Sequence, residues 1–148
     1  MKIEISQESP NTHIEELLWD VLWKPFGFDK KIRQEFKLNT EEIFLIAKID
    51  TKMTGVLVAN RISKSEYEVR HIAVQKQYQK TGIGRELFYK FEVDILHEYV
   101  RRITAIVRNT SQEFFEKLGF RVVQDYPDHP EFKKHGIKFS LMEKNVRR

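Results

Sequence analysis

The sequence predicts a single α/β domain, built on a mixed β-sheet, over residues 1–148. Predicted strands and helices follow one another along the chain, with no repeat and no linker that would separate two domains. A polar turn at residues 50–52 joins two strands as an antiparallel hairpin. A long helix lies between two later strands. Those strands are predicted to be parallel, because a helical crossover returns the chain in its original direction.

The N-terminal part of the chain is predicted to contain one strand and two helices. Isoleucines alternate with polar residues over residues 1–6, which indicates a short strand. Thr12 and Glu15 have the spacing of a capping box, and an apolar stripe continues from there as a helix over residues 12–23. A weaker pattern indicates a second helix over residues 30–36.

Three further strands are predicted before the middle of the chain. Residues 42–50 are mostly apolar and predict a buried strand, and residues 54–61 are expected to pair with it. Gly55 would permit a bulge or close packing at the start of the second strand. Residues 67–74 contain three β-branched residues and predict the third strand.

A glycine-containing loop follows that third strand and opens the longest predicted helix. Gly82 and Gly84 lie in its first turn, and apolar residues recur at helical spacing from Ile83 to Tyr99. Glycine lets a ligand approach the backbone, and the free N–H groups of a helix N-terminus suit a phosphate. A P-loop would need Lys and Ser/Thr where Arg85 and Glu86 stand, and a dinucleotide loop would need a third glycine.

The last part of the chain predicts three strands and one short helix. Residues 103–107 form a strand that should lie parallel to residues 67–74. Thr110 and Glu113 again have capping-box spacing, and Gly119 suits the end of the helix that they would open. The remaining predicted segments are a helix at 111–118, a strand at 120–124, a polar loop at 125–136 and a strand at 137–143.

Two motifs resemble those of the GCN5-related N-acetyltransferases. The first is Gln79-x-x-Gly82-x-Gly84 after a strand that ends in Ile-Ala-Val, and the second is Phe-Phe-Glu-Lys-Leu-Gly-Phe at residues 114–120. Residues 135–144 are similar to the closing strand of one bacterial subgroup. The resemblance implies a mixed, mostly antiparallel sheet of about seven strands, splayed around the cofactor site, with helices on both faces.

The same resemblance implies that acetyl-CoA is the cosubstrate and that no metal is needed. Its pyrophosphate would lie on the main-chain N–H groups of the glycine loop, and its pantetheine arm along the edge of the strand that ends at Val74. Lys80 or Lys76 would add positive charge there, or would be ordinary exposed lysines. Asn109 would contact the cofactor or serve as a turn residue. The predicted cofactor-binding residues are Ile72, Ala73, Val74, Gln79, Lys80, Thr81, Gly82, Ile83, Gly84, Arg85, Asn109 and Phe115.

Glu68 is the predicted catalytic base, because many members of the family place a glutamate six residues before the position of Val74. The alternative is a strand residue paired with Arg70 or with a neighbouring lysine. His71 could titrate near neutral pH, but strict alternation would place it on the opposite face from Glu68. Phe115 stands where the family commonly has the tyrosine that protonates the leaving thiolate, and phenylalanine has no proton to donate.

The predicted reaction is transfer of an acetyl group to a primary amine by direct attack in a ternary complex. The acceptor, a small molecule or a peptide, would contact the N-terminal helices, the loop after Pro25 and residues 125–136. Aromatic residues of the first region would form part of the core or of the acceptor site; they are Trp19, Trp23, Phe26 and Phe28. The alternatives are a non-catalytic protein that binds acetyl-CoA and, less favoured, a nucleic-acid-binding module.

Composition restricts the other possibilities. The chain has no cysteine, which excludes disulfides, thiolate zinc sites and a cysteine nucleophile. The charge of +4 and the pI near 9.2 are mild and fit scattered lysines and arginines with a basic tail at Arg147-Arg148. No apolar run is long enough to span a membrane. We expect a cytoplasmic monomer or homodimer with no membrane partner.

Overall fold

The computed structural model describes residues 2–96 and 99–146, so the predicted basic tail lies outside the described residues. The strands are β1 (Ile3–Gln7), β2 (Glu42–Ile49), β3 (Lys52–Arg61), β4 (Glu66–Val74), β5 (Arg102–Arg108), β6 (Arg121–Tyr126) and β7 (Phe139–Asn145). The α-helices are α1 (Thr12–Leu22), α2 (Arg33–Phe36), α3 (Ile83–Ile95), α4 (Gln112–Lys117) and α5 (Pro130–Lys133).

All seven strands form one sheet in the order β1-β2-β3-β4-β5-β7-β6. The neighbouring strands pair antiparallel, except β4 and β5, which are parallel. The parallel pair is the one that α3 connects, as the crossover argument predicted. The predicted mixed and mostly antiparallel sheet is therefore confirmed.

Helices cover both faces of this sheet, and each face has its own buried cluster. The α3 face contains Leu87, Phe88 and Phe91 against apolar residues of β2, β3 and β5. The α1 face contains Ile14 and Leu18 against other residues of β2 and β3. Two cores, rather than one, thus fix the sheet between the two groups of helices.

Gly55 brings α3 close to β3, as the close-packing alternative predicted. A Cβ atom added at Gly55 would lie 3.0 Å from Cγ2 of Ile83 and 3.1 Å from Cδ1 of Leu87. Both side chains belong to the first turns of α3. The glycine therefore sets how closely the beginning of this helix approaches the sheet, and with it the position of the glycine loop.

Both predicted capping boxes are wrong. The cap of α1 is Asn11, whose Oδ1 accepts a hydrogen bond from the Ile14 N–H at 3.0 Å, and Thr12 is already helical. Asparagine is the stronger capping residue, so it takes the position. Thr110 lies inside a single 3₁₀ turn at Asn109–Ser111, and α4 begins only after that turn.

Two other segments differ from their predictions. The second helix is only four residues long, and Arg33 within it is buried between the carboxylates of Glu15 and Glu42. The predicted loop at 125–136 contains the end of β6 and the whole of α5. Pro130 opens this helix, and the Nδ1 atom of His129 accepts a hydrogen bond from the Glu131 N–H at 3.2 Å.

Candidate active site

A β-bulge in β4 opens the sheet at the centre of the molecule. On the β3 side, Val58 pairs with His71 and Ala59 with Val69, so Arg70 is an extra residue. On the β5 side, the parallel pairing covers Glu66–Val69 and ends there. Beyond the bulge the two strands separate, which confirms the splay that the family resemblance implied.

A groove of about 870 Å³ lies between the splayed strands and the start of α3. Ile72 and Val74 of β4 line it, together with the whole predicted loop from Gln79 to Arg85. Phe114 of α4 and Leu22 of α1 form further parts of its wall. Nine of the twelve predicted cofactor residues thus line one groove.

The loop at the end of this groove exposes main-chain N–H groups. Gly82 is the N-cap residue of α3 and has a φ of 91°, a left-handed conformation that favours glycine. No side chain accepts a hydrogen bond from the N-terminus of this helix. Lys80 also has a positive φ, 64°. A turn that contains two such left-handed residues can direct main-chain N–H groups toward one point, as in an anion-binding nest. Nε2 of Gln79 donates to the Val74 carbonyl at 2.9 Å and holds this loop on the strand.

Three predicted cofactor residues lie outside the lining of the groove. Ala73 is 1% exposed and packs into the α1-side core. Asn109 bonds the Gly136 carbonyl at 3.2 Å and the Lys138 N–H at 3.1 Å, which is the turn role that the sequence left open. Phe115 is 8% exposed and belongs to the α3-side core, while its neighbour Phe114 borders the groove.

A second cavity, of about 430 Å³, lies beside the splay and has a mixed wall. We call it the acceptor cavity, and its apolar lining includes Trp23, Phe36, Phe132 and Phe139. Its polar lining includes Glu68, Arg70, His71 and Arg108. Asp128 and His129 come from the predicted acceptor-binding segment, residues 125–136. An aromatic wall with a few convergent polar groups is typical of a small-molecule site.

The family follows from comparison with known proteins. A family model described as acetyltransferase (GNAT) domain matches residues 7–146. This chain belongs to the GNAT acetyltransferase family. The match covers both the groove and the acceptor cavity, and it confirms the resemblance carried by the two sequence motifs. No curated protein matches the sequence significantly.

Solved structures share the fold of this GNAT domain at low sequence identity. An aminoglycoside 6′-N-acetyltransferase complexed with coenzyme A is 17% identical, covers 98% of each chain and gives a TM-score of 0.77. A GNAT family acetyltransferase from Elizabethkingia anophelis with acetyl-CoA bound is 21% identical, covers 97% of this chain and 98% of its own, and gives 0.75. The ribosomal-protein-S18-alanine N-acetyltransferase from Escherichia coli is 17% identical, covers 98% and 96%, and gives 0.73.

Glu68 of the GNAT domain forms an ion pair with Arg70 in the acceptor cavity. Their side chains are 16% and 13% exposed, so the pair is partly shielded from water. Arg70 also donates to the carbonyl of Phe36, the last residue of α2, which fixes the guanidinium against the end of that helix. The pairing that the sequence offered as the alternative to catalysis is therefore present, and it holds the carboxylate at the cavity wall.

His71 lies on the same face of β4 as Glu68, and the prediction of opposite faces is wrong. Strict alternation fails because the extra residue at Arg70 shifts the strand by one position. The His71 ring meets Trp23 edge to face with centroids 5.0 Å apart. Burial, and then the charges of Arg70, Arg33 and Arg108, hold the pKa of His71 well below its ordinary value. His71 is therefore neutral at pH 7.

Arg108 is the functional candidate that the sequence analysis missed. It is the last residue of β5, and it lines both the groove and the acceptor cavity. Burial lowers its pKa to about 10, so it still carries a positive charge at neutral pH. An arginine at a strand end is common on any protein surface, so no sequence pattern would have indicated this position.

The predicted aromatic residues divide between core and cavity wall. Trp23 belongs to the α1-side core and also lines the acceptor cavity, and Phe26 and Phe28 pack against Phe132. Trp19 donates from Nε1 to the Phe28 carbonyl at 2.9 Å. Across residues 2–96 and 99–146, no group of His, Asp and Glu is arranged to hold a metal ion. The helices within the same ranges are all too short or too polar to cross a membrane.

Proposed function

We propose that this GNAT domain transfers the acetyl group of acetyl-CoA to a primary amine, which attacks directly in a ternary complex. The observation that carries this proposal is the opening of the sheet at the β4 bulge, with a groove and an acceptor cavity that share Arg108 in their walls. Two adjoining sites at one opening suit a reaction that joins two bound molecules by orienting them.

The groove suits acetyl-CoA in shape and charge. Its loop presents the nest at Lys80 and Gly82 and the uncapped N-terminus of α3, both of which favour a pyrophosphate. Lys80 and Arg85 border the same groove and add positive charge. The coenzyme A and acetyl-CoA complexes of the similar folds support this assignment. When bound, acetyl-CoA supplies a thioester, whose thiolate departs readily because a thiol has a pKa of about 8.5.

The edge of β4 beyond the bulge would hold the pantetheine arm. Pairing with β5 has ended there, so one edge of Ile72–Val74 faces the groove while the other edge stays paired with β3. Gln79 already occupies the Val74 carbonyl with its side chain, so main-chain N–H groups remain as the donors for the ligand. A donor on this edge would also polarise the thioester carbonyl. Gln79 thus directs the edge toward binding acceptor atoms of the ligand.

Glu68 would remove the proton from the acceptor amine. A carboxylate can accept that proton directly or through water, and the ion pair with Arg70 holds the group on the wall of the acceptor cavity. His71 stands three residues further along β4 as a neutral imidazole on the same face. We assign the role to Glu68 because a proton on His71 would add a positive charge near Arg70, Arg33 and Arg108, whereas a proton on a carboxylate adds none.

Acetylation of a panel of amines tests this function. The panel contains an alkylamine, an aminoglycoside, a peptide with a free N-terminus and a lysine-containing peptide with a blocked N-terminus. Released coenzyme A is measured with a thiol reagent, which gives no background from a protein without cysteine. We expect turnover with at least one amine and coenzyme A binding by calorimetry. Binding without any turnover would instead favour the non-catalytic alternative.

A further inference from the structure

Arg108 lies at the junction of the two sites and points to the chemistry of the acceptor. We propose that the acceptor carries a carboxylate beside its amine, as an amino acid does, and that Arg108 binds this carboxylate. This inference rests on the proposed transfer of an acetyl group to an amine in the acceptor cavity. It adds a substrate class that neither the family nor the similar folds define.

The Arg108 guanidinium is held in place with most of its donors unused. Its Nη2 atom donates to the Leu22 carbonyl at 2.8 Å. Its central carbon lies 4.7 Å from the ring centroid of Phe132 and 5.4 Å from that of Phe26. These contacts fix the plane of the group through one hydrogen bond and two rings. The other N–H groups remain, and they form the planar fork that binds a carboxylate bidentately.

Those remaining donors have room for a ligand. Within the described ranges 2–96 and 99–146, every fully buried nitrogen of Arg108 has a hydrogen-bond partner. The nitrogens of Arg108 that make no hydrogen bond are therefore accessible from the groove or from the cavity. No carboxylate among the same residues lies within 4.0 Å of them. The cation is thus partly buried, immobilised and open toward the two sites.

The other cations on the wall of the acceptor cavity already have carboxylate partners. Arg70 is paired with Glu68, and Nζ of Lys37 lies 3.6 Å from a carboxylate oxygen of Glu42. Arg108 differs from both because its burial is offset only by a carbonyl and two aromatic rings. Burial without a counter-ion lowers its pKa to about 10, and a bound carboxylate would compensate that cost.

The position of Arg108 also agrees with the proposed path of the proton. Glu68 lies on the wall of the same cavity, on β4, while Arg108 ends β5 across the splay. An acceptor whose amine and carboxylate are neighbours would place its amine toward Glu68 of β4 and its carboxylate toward Arg108 of β5. Trp23, Phe36 and Phe132 would then contact its apolar side chain.

The experiment compares L-amino acids with their amides as ligands and as acceptors. Each of the twenty amino acids is paired with its own amide, and binding to the full-length protein saturated with coenzyme A is measured by calorimetry. Initial rates with acetyl-CoA are measured for the same pairs. The comparison is repeated with Arg108→Gln, with Arg108→Lys, and with Arg121→Gln as a matched control. Arg121 is an exposed arginine of β6, paired with Glu143 and outside both sites.

We expect at least one acid to bind more tightly than its amide, by about tenfold to a hundredfold, as for hydrogen bonds between charged groups. Arg108→Gln should remove that preference, Arg108→Lys should restore part of it, and Arg121→Gln should retain it. The ratio of acid to amide within each protein corrects for losses of folded protein, because both ligands meet the same preparation.

Two results would overturn the inference. The first is that no acid is preferred over its amide, and the second is that the preference survives in Arg108→Gln. If coenzyme A binding is also weaker in that variant, Arg108 belongs to the cofactor site. If amides and other amines without a carboxylate are acetylated in either case, the proposed acetyl transfer stands without the carboxylate. Preferential binding of acids without turnover would support the inference and contradict the transfer.

Discussion

The substitution Glu68→Gln separates a proton acceptor from a structural partner of Arg70. Glutamine keeps the shape of the side chain and can still accept a hydrogen bond from Arg70, but it cannot take a proton. The two side chains are only partly shielded, at 16% and 13% exposure. We therefore expect a loss of unfolding free energy of about 1–2 kcal/mol. A domain with stability of about 5 kcal/mol or more would remain almost wholly folded.

The effect on catalysis should be larger and should depend on pH. Loss of a general base typically slows a reaction about 100-fold or more. An alkylamine with a pKa of about 10.4 is neutral in about 1 molecule in 2,500 at pH 7 and in about 1 in 25 at pH 9. The variant depends on that neutral fraction, so its kcat/KM should rise about tenfold per pH unit over this interval. The wild-type protein should show a flatter profile.

The matched control for this experiment is Arg70→Gln. It breaks the same ion pair from the other side and leaves the carboxylate of Glu68 in the cavity. Rates are followed through released coenzyme A between pH 6.5 and 9, and urea unfolding gives the folded fraction of each protein. We expect Arg70→Gln to lose at least as much stability as Glu68→Gln but to keep the flatter profile of the wild-type protein.

Parallel profiles for the wild-type protein and Glu68→Gln would refute the assignment of the base. So would a steep profile in Arg70→Gln, because the ion pair rather than the carboxylate would then control the rate. In the first case His71 becomes the next residue to replace, since it is neutral and lies on the same face of β4. Cofactor affinity, measured by calorimetry, should be the same in all three proteins.

Gly84→Val should weaken coenzyme A binding at least tenfold, as measured by calorimetry. Its Cβ would lie only 3.1 Å from Cζ of Phe114 and would push that ring into the groove. Unchanged affinity in the folded variant would contradict the placement of coenzyme A in this groove. Phe115→Tyr should lower the free energy of unfolding by about 1–3 kcal/mol in urea, because it buries a hydroxyl in the core. We expect no gain in turnover, and faster turnover would show that the ring reaches the leaving thiolate. His71→Phe keeps a ring beside Trp23 and removes a group whose pKa is lowered by folding. Below pH of about 6.5 the histidine is protonated in the unfolded chain but not in the folded protein. As the pH falls, the wild-type protein should therefore lose up to about 1.4 kcal/mol of unfolding free energy per pH unit relative to the variant, measured by urea unfolding.

The sequence predicted the sheet well and located most of the residues that line the groove, because both depend on local patterns. Apolar periodicity located the strands, and the crossover at α3 defined the single parallel pair. Gly82 and Gly84 marked the loop, since few residues other than glycine adopt the conformation at Gly82. These signals lie within short stretches of chain and need no knowledge of tertiary contacts.

The acceptor side could not be predicted in the same way. Its walls combine α1, the segment after α2, β4, β5 and α5, which are far apart in sequence. The bulge at Arg70 left no sign in the residue pattern, so the face of His71 was predicted wrongly. Phe114 and Phe115 are chemically identical neighbours, and only the angle of α4 decides which of them borders the groove. The expectations of a cytoplasmic location and of a monomer or homodimer stay predictions.

Because β4 contains one extra residue, the opening of the sheet depends on the number of residues in this strand as well as on their identity. Deleting the extra residue at Arg70 would make β4 alternate regularly, and His71, Ile72, Ala73 and Val74 would keep their present faces. The strand would lose the bend of the bulge and could continue to pair with β5, so the deletion would act on the separation of the two strands. A one-codon deletion could thus close the opening without changing any other residue. We therefore expect this site to tolerate substitutions in β4 far better than insertions or deletions.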